Sequence, residues 1–180
     1  MGRSVLAMFL AASLTLPSAA TWAEAPLVGF GDVTLGQPFK DLSAAHKLAK
    51  SAQWKAETAE LYEDAERQQI AGLTFSISYE LKDGAVTVIS LRAENDTGVV
   101  SCQEKFGELS ALLAKKYGAF DHPPSRTVNG ATTELYVVKT YADRYIVLDI
   151  CALDGSAGRL CTTSLRYGLG KSSYGNADKL

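Results

Sequence analysis

Little in this sequence carries chemistry on its own. It holds two histidines, His46 and His122, and no G-x-S-x-G elbow, P-loop, dinucleotide glycine pattern or H-E-x-x-H. Two histidines in unrelated contexts cannot build a histidine-rich zinc site alone. No C-x-x-C occurs, and a reactive thiol would need a base or cation beside it. Gly29-Phe30-Gly31 and Gly168-Leu169-Gly170 lack the rest of any phosphate-binding fingerprint. No catalytic residue, metal ligand or cofactor is therefore assigned. Basic charge is scarce too: the net charge is -2 and the pI about 5.7, which leaves no cationic surplus to neutralise nucleic-acid phosphates. The acidic residues Glu57, Glu60, Glu63, Asp64 and Glu66 cluster, but without the compact glycine-bearing loop that gathers oxygens around a hard cation. They read as a solvated face.

Long apolar runs are missing except at the start. Arg3 precedes VLAMFLAASLTL at residues 5–16, and Pro17 and Ser18 then break the run before small residues follow. This is the layout of a secretory signal peptide. Cleavage fits after Ala23, with Ala20 as the alternative. The run is too short to cross a bilayer, which takes about 20 residues. A mature chain with no membrane span, released to the periplasm or secreted, is the expectation.

In an exported chain, three cysteines imply one disulfide and one leftover thiol. Cys151 and Cys161 flank a turn-rich stretch between two strand patterns. A centred hairpin would set them opposite each other on one face, within reach of a bridge. Cys102 paired with either of them, joining helix to sheet, is the rival.

The strongest helix pattern covers residues 101–118. Cys102, Phe106, Leu109, Leu113 and Tyr117 form one stripe with Leu112 beside it. Ser101 with Glu104 reads as a capping box, and Gly118 as a stop. A second helix is expected from Phe39, with Pro38 at its start and Leu42, Ala45, His46 and Ala49 on its buried side. There His46 reads as a packing histidine. Residues 51–70 fit helix or strand. Residues 73–80 alternate as a strand, Asp83-Gly84 turns, and residues 85–93 return. Residues 119–130 read as a polar loop carrying His122, the best place for a functional loop. Strands follow at 132–140, 145–153 and 159–167, the middle one near-continuously apolar and so central. Asp149 on it is expected at the solvated face or paired with Arg166. Residues 168–180 read as a flexible tail.

The expectation is an α+β fold in one domain, residues 24–167. It has a mainly antiparallel sheet of about five strands with at least two helices on one face. Helix then hairpin recurs over residues 39–93 and 102–167, a degenerate tandem repeat. In that arrangement the chain resembles small exported tandem helix-plus-hairpin proteins such as the β-lactamase inhibitor proteins. The resemblance implies a binding or inhibitor-like role on another envelope or secreted protein. Candidate interaction residues are His122 and three tyrosines, Tyr136, Tyr141 and Tyr145, since tyrosine joins apolar area to a polar tip. An envelope assembly or stress accessory factor is the alternative. So is a hydrolase with a non-sequential site drawing on Asp149, His122 or Cys102.

Overall fold

A computed structural model describes residues 27–52, 58–95, 99–129, 132–155 and 158–172. The leader, Trp54, Glu57 and the last eight residues of the expected tail lie outside them. The described chain opens with a small hairpin, β1 (Gly29–Phe30) and β2 (Val33–Thr34), and a short helix, α1 (Phe39–Ala45). Four strands follow: β3 (Leu48–Lys50), β4 (Glu60–Ile70), β5 (Leu73–Lys82) and β6 (Ala85–Asn95). Then come α2 (Val99–Tyr117) and four more: β7 (Ser125–Asn129), β8 (Thr132–Tyr141), β9 (Arg144–Gly155) and β10 (Gly158–Leu169). The fold is α+β. One antiparallel sheet runs β3-β4-β5-β6-β10-β9-β8-β7.

The sheet has eight strands, not about five. The three extra strands are the outermost ones, where little burial imposes a pattern. β4, ELYEDAERQQI, is mostly exposed and lacks clean alternation. β3 is 3 residues long, and β7 is exposed along most of its length between Pro124 and Gly130. β4 resolves the ambiguous segment as strand from Glu60 onward, and β7 takes the C-terminal part of the expected loop.

Tight turns set the register. Asp83 and Gly84 both take positive φ between β5 and β6, as a two-residue hairpin with right-handed twist requires. One face of the sheet then forms rows of aligned apolar side chains. Val137, Leu148, Leu165, Leu91 and Ile77 lie in register across five strands, and all are buried. Burial of each such side chain contributes about 1.5–3 kcal/mol. The next row carries Ile146, Tyr167, Ile89 and Tyr79, ending beside Tyr62.

Both helices cover this face. The expected α2 stripe is buried at Cys102, Phe106, Leu109, Leu113 and Tyr117, while Leu112 is exposed. Tyr117 meets Tyr167 edge-on, and α2 lies over β8, β9 and β10. The helix begins two residues early, so Ser101 sits inside its first turn and is not its N-cap. Gly118 ends it at φ 83°, its N–H donating to the Ala114 carbonyl. α1 places Phe39 on Tyr62 and buries Leu42. It ends at Ala45, so Ala49 belongs to β3 rather than to a helical stripe. β10 runs to Leu169 and absorbs the start of the expected tail.

The disulfide joins Cys102 to Cys161, with Cα atoms 6.0 Å apart. The favoured Cys151–Cys161 pairing is corrected by one residue of register. Cys161 faces Ala152, and Cys151 faces Thr162, so the two cysteines point to opposite faces. Cys151 is the free thiol. No helix among the described residues is long and apolar enough to cross a membrane.

Candidate functional site

Two regions gather polar side chains where the fold would otherwise be apolar. The first lies where β4 bulges. Glu63 faces Ser78 and Arg67 faces Ser76, so three residues of β4 oppose Ile77 alone. The extra length brings Asp64, Glu66 and Gln68 to one wall of a cleft of about 120 Å³. Gly31, Asp32 and Val33 from the β1–β2 hairpin line it, with Ala45 and His46 from the end of α1.

Asp64 is the centre of this cluster, its side chain only 1% exposed. The acidic run thus has one member that is not solvated, against the solvated-face expectation. Three donors hold it. Tyr79 Oη–H donates to Asp64 Oδ2 at 3.0 Å, His46 Nδ1 lies 2.8 Å from the same oxygen, and the Glu66 N–H donates to Oδ1 at 3.0 Å. An ionised carboxylate only accepts, so Nδ1 carries a proton. Burial, and then the bond to Asp64, push the Tyr79 phenol well above its usual range, which keeps it a donor.

His46 is the C-cap of α1 in extended conformation, not a member of a helical stripe. Its Nε2 is buried and makes no hydrogen bond among the described residues. Asp32 Oδ2, on a largely exposed side chain, stands 3.5 Å from that nitrogen. The cluster is therefore a histidine oriented by a buried carboxylate, with its second nitrogen turned toward another carboxylate. Among the described residues no serine, threonine or cysteine lines the cleft to act as nucleophile. Among the described residues no group of three or more His, Cys, Asp or Glu is gathered for a metal ion.

The second region is the sheet face opposite the helices. In register across it run Tyr136, Asp149, Ser164, Arg92 and Ser76, and beside them Val138, Val147, Arg166, Ser90 and Ser78. Val147 at its centre is fully buried, while Tyr136, Tyr145, Asp149 and Arg166 are half-buried. Burial raises the Asp149 carboxyl to about 6, with Arg166 opposing the shift and Glu134 adding to it. This carboxylate is neither freely solvated nor fully neutralised by Arg166. The Tyr145 ring lies against Gly168, where any Cβ would collide with it, so glycine fixes the ring's position. Burial also raises the Tyr145 phenol and the Cys151 thiol. A thiol held protonated beside Glu134 and Asp149 is a poor nucleophile.

The sequence-derived candidates divide accordingly. Tyr136 and Tyr145 share the helix-free face. Tyr141 is exposed at the β8–β9 turn, and His122 is exposed before β7. The loop carrying His122 is anchored, since the Thr140 N–H donates to Asp121 Oδ2 at 2.7 Å. Asp149, His122 and Cys102 are not assembled into a site: Cys102 is buried in the disulfide on the helix side, and Asp149 points to the other face. His46 and Asp64, 18 residues apart, were not joined by sequence reasoning. No protein-family model, curated protein or solved structure matches the chain.

Proposed function

We propose that this chain is an exported, periplasmic, non-enzymatic binding protein of inhibitor-like type, acting on another envelope protein through the helix-free sheet face. One observation carries the reading. Half-buried Tyr136 and Tyr145, with Asp149 and Arg166, stand on a sheet face over which the described elements lay no helix. Rigid aromatic and arginine side chains on a pre-formed surface are the residue types enriched where proteins bind each other tightly. The chain order supports it: one helix then four strands, twice, with the two sets meeting at β6 and β10. That is a tandem repeat in arrangement, the feature in which the chain resembles the β-lactamase inhibitor proteins. The Cys102–Cys161 disulfide fits an oxidising compartment such as the periplasm.

The test is affinity capture of the tagged mature protein from its own periplasm with cross-linking, repeated with Tyr145→Ala and Arg166→Glu. One stoichiometric partner, lost in both variants, is expected. A partner retained by both variants would move the interface elsewhere, toward Tyr141 and His122. A scatter of clients would favour the assembly-factor reading, and no partner would sink both.

A further inference from the structure

We propose that β7 is the seam of a two-fold homodimer, in which the strand pairs antiparallel with β7 of a second copy about an axis through Thr127. This seam is a separate surface from the helix-free face. The two edges of the sheet differ. A strand edge offers unpaired backbone N–H and C=O groups to any extended chain, and folded proteins usually blunt it. At one edge β3 is only 3 residues long and carries Lys50, paired with Glu60. At the other edge the 5 residues of β7 pair one-to-one with β8, without a bulge. β7 holds no lysine and no proline, and among the described residues no strand pairs with its outer side.

The edge is also formed in advance. The Thr140 N–H donates to Asp121 Oδ2, and Lys139 Nζ donates to the Ala119 carbonyl, so the segment leading into β7 is fastened to β8. Thr127 and Val128 are β-branched residues, suited to a pleated surface with neighbours on it. Yet Val128 is 58% exposed, in the row of Thr133, Ala152 and Cys161 on the helix side of the sheet. Arg126, Thr127 and Asn129 are exposed as well. The strand's own residues favour a second copy as the occupant. Pairing about Thr127 sets Thr127 against Thr127, Ser125 against Asn129 and Arg126 against Val128. Threonine pairs are favourable across strands, serine and asparagine are both small and polar, and no like charges meet. The Arg126 stem then lies along the second copy's Val128 while its guanidinium stays in water, and symmetry covers both exposed valines. An axis normal to the sheet keeps Thr127 and Tyr136 of both copies on one side, so the two sheets join into one. A seam of 5 residues is small, so the dimer dissociates on dilution.

The experiment is sedimentation equilibrium of the purified, oxidised protein from about 1 μM to about 1 mM, with amide exchange of β7 followed over the same range. A reversible monomer–dimer equilibrium is expected, with outer-side β7 amides protected only in the dimer. Val128→Lys sets a lysine against Arg126 at two places across the axis and weakens association about tenfold. Val128→Glu sets a carboxylate there and keeps the dimer, and Arg126→Glu combined with Val128→Lys restores it. In a Cys151→Ser background, Thr127→Cys oxidises to a covalent dimer. Arg126→Cys does not, because its two copies stand diagonally, about 7–8 Å apart. A chain still monomeric at about 1 mM overturns the proposal. So does a dimer that Val128→Lys leaves intact, or one bridged more readily through Arg126→Cys than through Thr127→Cys. Protection of β7 amides that appears only with a different protein would overturn it in favour of strand addition by that protein.

Discussion

The two halves of the sheet follow one plan and close it differently. In the C-terminal half, a 19-residue helix lies over β8, β9 and β10, and a disulfide anchors it at Cys102. Beneath it Ile146, Leu148 and Ile150 are dry, with Leu165 beside them. In the N-terminal half the helix has 7 residues and buries only Leu42. The gap is filled by the β1–β2 hairpin and by a polar cluster, His46, Asp64 and Tyr79, seated on a bulged strand. A long amphipathic helix lets one half remain apolar. A short one leaves space that only satisfied polar groups, or a ligand, can occupy without cost.

The sharpest way to break this contrast is to remove the bridge. Replacing Cys102 and Cys161 with serine should cost about 4 kcal/mol, the loop-closure value for a 59-residue separation. Urea midpoints of the variant and of reduced wild type should agree; a loss under about 1 kcal/mol would mean the C-terminal half does not depend on its anchor. Asp64→Ala comes next. It strands the Tyr79 hydroxyl and the His46 N–H in a buried place and should cost about 3 kcal/mol. A near-neutral result would show that water replaces the carboxylate and that the polar half is loosely held.

The third prediction concerns pH. Burial raises the Asp149 carboxyl from its ordinary value of 3.8 to about 6, so the folded state binds the proton more tightly than the unfolded chain. Its burial penalty is absent below about pH 4, grows as pH rises to about 6, and is constant above, amounting to about 3 kcal/mol at neutrality. Asp149→Asn should therefore unfold at higher urea at pH 7 and lose that slope between pH 4 and 6. Unchanged slopes would show that Arg166 neutralises the carboxylate. The smallest effect belongs to the exposed Lys50–Glu60 pair joining β3 to β4. Lys50→Ala should leave the unfolding midpoint where it is, because exposed ion pairs are largely solvent-screened.

The sequence made the dense parts of this contrast readable and hid the sparse ones. The α2 stripe and the β5–β6 hairpin follow period and turn chemistry, and both stand as expected. β4 and β7 bury too little for a period to appear. The bridge was misread through a single residue of register at the β9–β10 turn, which no local pattern specifies. His46 and Asp64 each looked ordinary, one a packing histidine and the other a surface acid. What joins them is a helix that stops at Ala45 and a bulge after Glu63, and both are outcomes of tertiary packing.

The junction of the halves has a consequence for the order in which the chain can fold. β6 pairs on one side with β5, which precedes it closely, and on the other with β10, across residues 88–95 and 161–168. While the chain is being made, β6 is an open edge until the last strand arrives. A finished N-terminal half would present unpaired backbone, a template for wrong pairings. Closing so distant a contact is slow compared with forming a hairpin. The disulfide spans the same seam, from the start of α2 just after β6 to β10. Oxidation therefore locks the latest step of assembly, and a chain kept reduced would spend longer with that edge bare.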